Sequence, residues 1–232
     1  MLNFVYICLL KQREMRITKR PVPINEEIPL DPFRTIMSKT DKKGIIEYAN
    51  DYFVDICQYK EWELMGQPHN IIRHPDMPKI MFKILWDRLF EGKNIHAVVK
   101  NLAKSGKYYW VVTDFQITYN PDGSIKALYS RRKAIPTHVK LFFDNLYKEL
   151  IQIEQKGGME ASGAYLQAFL EDKNTTYDEF ILNLFNLSHK DFMAYMTAEI
   201  SDEELLGKSY YSAEEAIKKT KKKKSFLSKL FG

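Results

Sequence analysis

The chain has 232 residues, 45% of them apolar, enough for one domain of ordinary size plus extensions around a buried core. Its formal charge of +5 is concentrated at the end: seven lysines from Lys218 to Lys229 follow the last acidic residue, Glu215, and taking them from +5 leaves −2 for the rest. The body is therefore not a nucleic-acid-binding surface on charge grounds, and the two cysteines, Cys8 and Cys57, form no metal or disulfide pattern, as expected in a reducing, cytoplasmic compartment.

Met1–Leu10 is apolar but stops at Lys11, short of the roughly 20 residues a membrane span requires, and it lacks a basic start and a cleavage site. Met15 serves equally well as a start. Pro21, Pro23, Pro29 and Pro32 stand among polar residues, and residues 1–29 read as an extended arm lying on a domain that begins near residue 30. From there the period of the apolar residues changes to two. Thr35–Thr40 and Ile45–Ala49 flank a turn that ends in Gly44, and Asn50–Tyr59 reads as a short helix with Phe53, Val54, Ile56 and Cys57 inward. Trp62–Met65 forms a further turn, closed by Gly66.

Gly66–Trp86 carries more chemistry than a plain core needs. Pro75 and Pro78 bracket Arg73, His74 and Asp76 at the start of an amphipathic helix expected from Met77 to Phe90, with Asp76 as its N-cap. Met77, Ile80, Met81, Ile84, Leu85 and Leu89 recur at helical spacing and face the core; Lys79, Lys83, Asp87 and Arg88 lie away from it. Free N–H groups at such a start, beside Arg73 and His74, suit an anionic ligand group, and a local Arg73–Asp76 pair with a packed His74 explains the same residues without one. Three strands follow, Ile95–Leu102, Tyr108–Tyr119 and Ser124–Ala134, with Asn120-Pro121-Asp122-Gly123 as the strongest turn signal.

This order predicts an α+β fold, a five-stranded antiparallel sheet with short helices on one face. It resembles the PAS domain. The resemblance sharpens at Ala49-Asn50-Asp51-x-Phe53, at Gly66-Gln67-Pro68-His69-Asn70-Ile71-Ile72-Arg73-His74-Pro75-Asp76-Met77-Pro78, at Val99-Lys100-Asn101 and at Gly106-x-x-Tyr109-Trp110-Val111. These strings are similar to the flavin-binding PAS domains of the bacterial aerotaxis and energy-taxis type, over residues 30–136. That resemblance implies non-covalently bound FAD, a report of redox state without substrate turnover, and a separate chemoreceptor-like partner. By motif it assigns Asn50, Arg73, His74 and Asp76 to the cofactor, with Trp86 and Trp110 as candidate walls. Asn50 also reads as an N-cap, and the tryptophans also read as core. Ile95-His96-Ala97 and Leu102-Ala103 depart from the family pattern by one aromatic residue and by cations, with Tyr108, Tyr109 or Phe115 available to rebuild the wall.

A light-sensing flavin domain needs an adduct-forming cysteine in its own helix motif, and Asp55-Ile56-Cys57-Gln58 is a different context. Haem would require an axial ligand, for which His69, His74 and His96 are the candidates. The chain shows no glycine-rich phosphate loop, no metal spacing and no nucleophile with its partners, so no enzyme is expected. The competing reading is a cofactor-free PAS adaptor for protein interaction or dimerisation.

Residues 137–198 read as a helical extension: a run from 137 to 156 interrupted at Gly157-Gly158, then helices over 161–170 and 177–187, which pack on the sheet, pair two copies as a homodimer, or face a partner. Residues 199–232 read as a linker and a lysine-rich tail. Lys218–Phe231 either remains solvated or touches an anionic membrane surface from the cytoplasmic side.

Overall fold

The computed structural model describes residues 20–186. The apolar decamer at the start, the end of the extension beyond Asn186, and the lysine-rich tail lie outside the described residues. Five strands, β1 (Ile36–Asp41), β2 (Ile46–Ala49), β3 (Ala97–Leu102), β4 (Tyr108–Tyr119) and β5 (Ile125–Ala134), form a single sheet in the order β2-β1-β5-β4-β3. Between β2 and β3 come α1 (Asp51–Cys57), α2 (Glu61–Leu64), a 3-10 turn (His69–Ile72) and α3 (Lys79–Phe90); α4 (Thr137–Asp172) and α5 (Tyr177–Asn186) follow β5. The described chain divides into two compact units.

The first unit comprises residues up to His74, Lys100–Tyr109 and Gln116–Lys133. Its β1–β2 turn forms because Asp41 Oδ1 accepts the N–H groups of Lys43 (2.8 Å) and Ile45 (2.9 Å) while Gly44 takes φ 80°, a conformation that favours glycine. β1 then pairs antiparallel with β5, setting Ile36 opposite Arg132 and Ser38 opposite Ser130. Ile36, Ile46, Phe53, Cys57, Leu64 and Ile72 are buried to 1% exposure or less and form the apolar interior. The proline-rich arm adds backbone bonds of its own: Ile24 N–H donates to Gly106 O (2.8 Å), Tyr108 N–H to Glu26 O (3.0 Å) and Ile28 N–H to Tyr108 O (2.7 Å). Gly106 lies so close beneath the arm that a Cβ there would stand 2.3 Å from Val22 O.

The second unit comprises Pro75–Val99, Trp110–Phe115 and the residues from Ala134. α3 buries the expected stripe of Met77, Ile80, Met81, Ile84, Leu85 and Leu89, and two details correct the sequence reading. The helix begins at Lys79 with Pro78 as N-cap, so neither Met77 as first residue nor Asp76 as cap holds. Met77 precedes a proline, which disfavours helical backbone there, and the cap comes from elsewhere: the Glu154 carboxylate of α4 accepts from Lys79 N–H (3.0 Å) and Ile80 N–H (2.8 Å). Arg88, expected to face away, is buried, because Asp178 of α5 pairs with it at 2.5 Å and Asn94 O accepts from its Nε (3.2 Å) and Nη2 (2.9 Å). α4 breaks where the glycine pair predicts, at Gly158 (φ 77°, ψ 179°), and then resumes as helix to Asp172. Among the described residues no helix is long and apolar enough to cross a membrane.

Candidate ligand-binding site

The two strings that open the site are physically joined in the first unit. Arg73 forms an antiparallel backbone bridge with Asn101, so the end of the 3-10 turn is tied to the Val-Lys-Asn segment of β3. The turn itself hangs from the β1–β2 connection through His69 N–H, which donates to Gly44 O (2.8 Å). His74 is buried at 3% exposure and meets the Tyr108 ring edge-on, with centroids 6.1 Å apart and planes at 76°. Arg73 is half-buried. The Lys100 ammonium lies over the other partner of that contact, 4.6 Å from the Tyr108 centroid.

The remaining residues assigned by resemblance fall in different settings. Asn50 is the N-cap of α1: its Oδ1 accepts from Phe53 N–H (3.1 Å) and Met37 N–H (2.9 Å), and its amide nitrogen donates to Thr35 O (2.9 Å). Asp76 is exposed in the second unit. Trp86, also of the second unit, is half-buried and stacks on the exposed Phe90 (5.5 Å, 27°), while Trp110 is buried and stacks on Tyr147 of α4 (6.1 Å, 25°). The Tyr147 hydroxyl donates to Val98 O at 2.5 Å, which fixes the ring that Trp110 meets.

Deeper in the first unit lies a polar cluster that sequence reasoning missed. Arg132 of β5 is 4% exposed, and its guanidinium donates to Ser38 Oγ (3.1 Å), to Ser130 Oγ (2.6 Å) and to Nε2 of His69 (2.7 Å). Because arginine can only donate, Nε2 is the acceptor and the neutral ring carries its proton on Nδ1. Burial, then the adjacent guanidinium, hold the His69 pKa well below its usual value of 6.5. Phe53 stacks on His69 (5.7 Å, 20°) and lies beneath the guanidinium at 5.5 Å. Leu128, Ser130 and Arg132 alternate inward along β5, and that period of two was the available signal: two polar residues continue the face of a buried leucine.

The buried hydroxyls of Tyr59 and Tyr109 and the amide nitrogen of Asn101 have no hydrogen-bond partner among the described residues. Such groups are costly unless something satisfies them. The interior of this unit thus holds unsatisfied polar groups, each able to donate a hydrogen bond, beside aromatic faces, and these residues fit a planar, acceptor-rich group such as a flavin. Cys57 contributes no reactive thiolate, since burial pushes its thiol up to about 11.

Comparison with known proteins agrees with this architecture. The chain is 37% identical over 134 residues to the aerotaxis receptor of Escherichia coli, covering 58% of this chain and 26% of that protein, so it spans about a quarter of that relative's length. It is 28% identical over 104 residues to hypoxia-inducible factor 1-alpha of Gallus gallus, covering 45% of this chain and 13% of the other. Similar solved structures include the light state of the aureochrome1 LOV photoreceptor (TM-score 0.43, 15% identity, 47% of this chain and 88% of that one). A PAS domain from Colwellia psychrerythraea is comparable (TM-score 0.41, 17% identity, 44% and 86%). Residues 46–130 match the family model described as the PAS fold, and with the strand order β2-β1-β5-β4-β3 and the helices between β2 and β3, the domain of this chain is a PAS fold.

Proposed function

We propose that the chain is a cytoplasmic PAS sensor that holds FAD non-covalently and relays the redox state of the flavin to a separate, chemoreceptor-like signalling partner, without turning over a substrate. The observation that carries this reading is the Arg73–Asn101 bridge, which joins the two strings most like those of flavin-binding domains, next to a buried His74 and unsatisfied buried donors. Likeness to the aerotaxis receptor supports the class of partner.

In this account Arg73 and His74 hold acceptor groups of the cofactor, and Asn50 fixes the start of α1 as its cap. The assignment of Asp76, Trp86 and Trp110 rests on the resemblance alone. When bound, FAD supplies a redox couple whose ring changes charge and protonation on reduction. The chain's own relay begins at α3, the helix that follows the Arg-His-Pro-Asp-Met-Pro string. Its first N–H groups are bound by Glu154, so displacement of that start pulls on the helical extension rather than dissipating in a loop.

Flavin content of purified Arg73→Ala and His74→Ala variants tests the assignment. Each variant should retain the circular dichroism of the wild type and lose most of its flavin. Wild-type occupancy in both would overturn the site, and a colourless wild-type protein that takes up no added FAD would support the cofactor-free adaptor instead.

A further inference from the structure

Arg132 is a buried cation whose partners are all neutral. Two serine hydroxyls and an imidazole accept its N–H groups, and among the described residues no aspartate or glutamate bonds or pairs with it. Taking a guanidinium out of water without a counter-ion is expensive, and burial draws its pKa down from the usual arginine range to about 10. The hydrogen bonds from its neutral partners offset only part of that cost, because those acceptors are shared. Ser38 and Ser130 hydroxyls also contact each other at 2.9 Å, and the single Nε2 lone pair of His69 is shared between Arg132 and Ser38 Oγ at 3.3 Å. The Tyr109 hydroxyl, close enough to influence Arg132 electrostatically, has no partner of its own, and neither does that of Tyr59, which stands in the same relation to Tyr109.

We propose that Arg132, oriented by Ser38, Ser130 and His69, is a ligand-binding residue that receives a negatively charged or carbonyl-rich acceptor edge of the bound cofactor. Phe53 supplies the flat apolar surface beneath that edge, and the tyrosine hydroxyls of Tyr59 and Tyr109 add donors. The fork of a guanidinium matches a pair of acceptors on one planar edge, and it matches a phosphate equally well. This inference rests on the flavin reading for the identity of the ligand, though not for the presence of an acceptor site.

The test measures binding of riboflavin, FMN and FAD by flavin-stripped full-length wild-type protein and by Arg132→Met, together with the melting temperature of both in inorganic pyrophosphate. A loss of tenfold or more for all three flavins assigns Arg132 to the ring edge. A loss confined to FMN and FAD, with riboflavin unchanged, assigns it to phosphate. Either result supports the proposal. Since methionine replaces a buried ion by an apolar chain of similar reach, the stripped variant should melt no lower than the stripped wild type. If the methionine variant does not fold, Arg132→Lys, which keeps the charge and loses the fork, is read by the same criterion. Wild-type affinity for all three flavins in a folded variant overturns the proposal. Should the wild type bind no flavin, the sensor reading fails by itself. A pyrophosphate-induced rise in melting temperature present in the wild type and absent in Arg132→Met then upholds the acceptor site, and no rise in either protein overturns it.

Discussion

At the scale of single residues, the site contrasts groups whose role is visible in a local string with groups whose role depends on distant partners. Asn50 was legible as a helix cap because a cap works within three residues, and its amide is used in that way. The link from His69 to Arg132 was not, because 63 positions separate them and no local rule connects a 3-10 turn to the last strand. Their contact makes a testable statement about pH. The folded His69 is held neutral while the unfolded ring protonates near its ordinary 6.5. Its contribution to stability is therefore fully present above about pH 6.5 and is lost as the pH falls from there toward the depressed folded value, because the unfolded state takes up the proton first. Chemical denaturation of the wild type between pH 7 and 5 should show this decline. His69→Gln should flatten it, and an equal slope in the variant would mean that His69 is not the group responsible.

At the scale of elements, periodicity read α3 and the break in α4 well, because an amphipathic stripe and a glycine pair are local patterns. What periodicity could not supply is the partner that ends each helix. α3 starts two residues late because Pro78 restricts Met77, and its N-terminal N–H groups are bound by Glu154, 75 positions from Lys79. Glu154→Ala should cost about 1 kcal/mol, the usual worth of a helix cap, and should raise hydrogen exchange at Lys79 and Ile80 above that at the rest of α3. Uniform exchange along the helix would remove Glu154 from the proposed relay. The arm permits a second prediction. Gly106 has φ 90° and no room for a Cβ beneath Val22 O, so Gly106→Ala should destabilise the protein by more than about 1 kcal/mol and expose residues 20–28 to limited proteolysis. Unchanged protection of the arm would show that its backbone bonds to Gly106 and Tyr108 are not what holds it.

For the molecule as a whole, strand order and turn chemistry carried the fold. Three consecutive strands after two, separated by short helices, admit few antiparallel arrangements, and β2-β1-β5-β4-β3 is one in which β5 returns to lie beside β1. That return was not visible residue by residue, yet it is what sets Ser130 opposite Ser38 and carries Arg132 into the interior. The PAS fold positions the candidate site, and the proposed flavin would give it a purpose: buried hydroxyls without partners and a guanidinium without a counter-ion are expensive to keep, and an acceptor-rich ring bound there would relieve both. The most direct measurement is the visible absorbance of the purified full-length protein before and after anaerobic reduction. The account predicts a yellow protein with an oxidised-flavin spectrum that bleaches on reduction, returns on reoxidation, and belongs to FAD once the cofactor is released and identified. A colourless protein that remains so after incubation with FAD would contradict it.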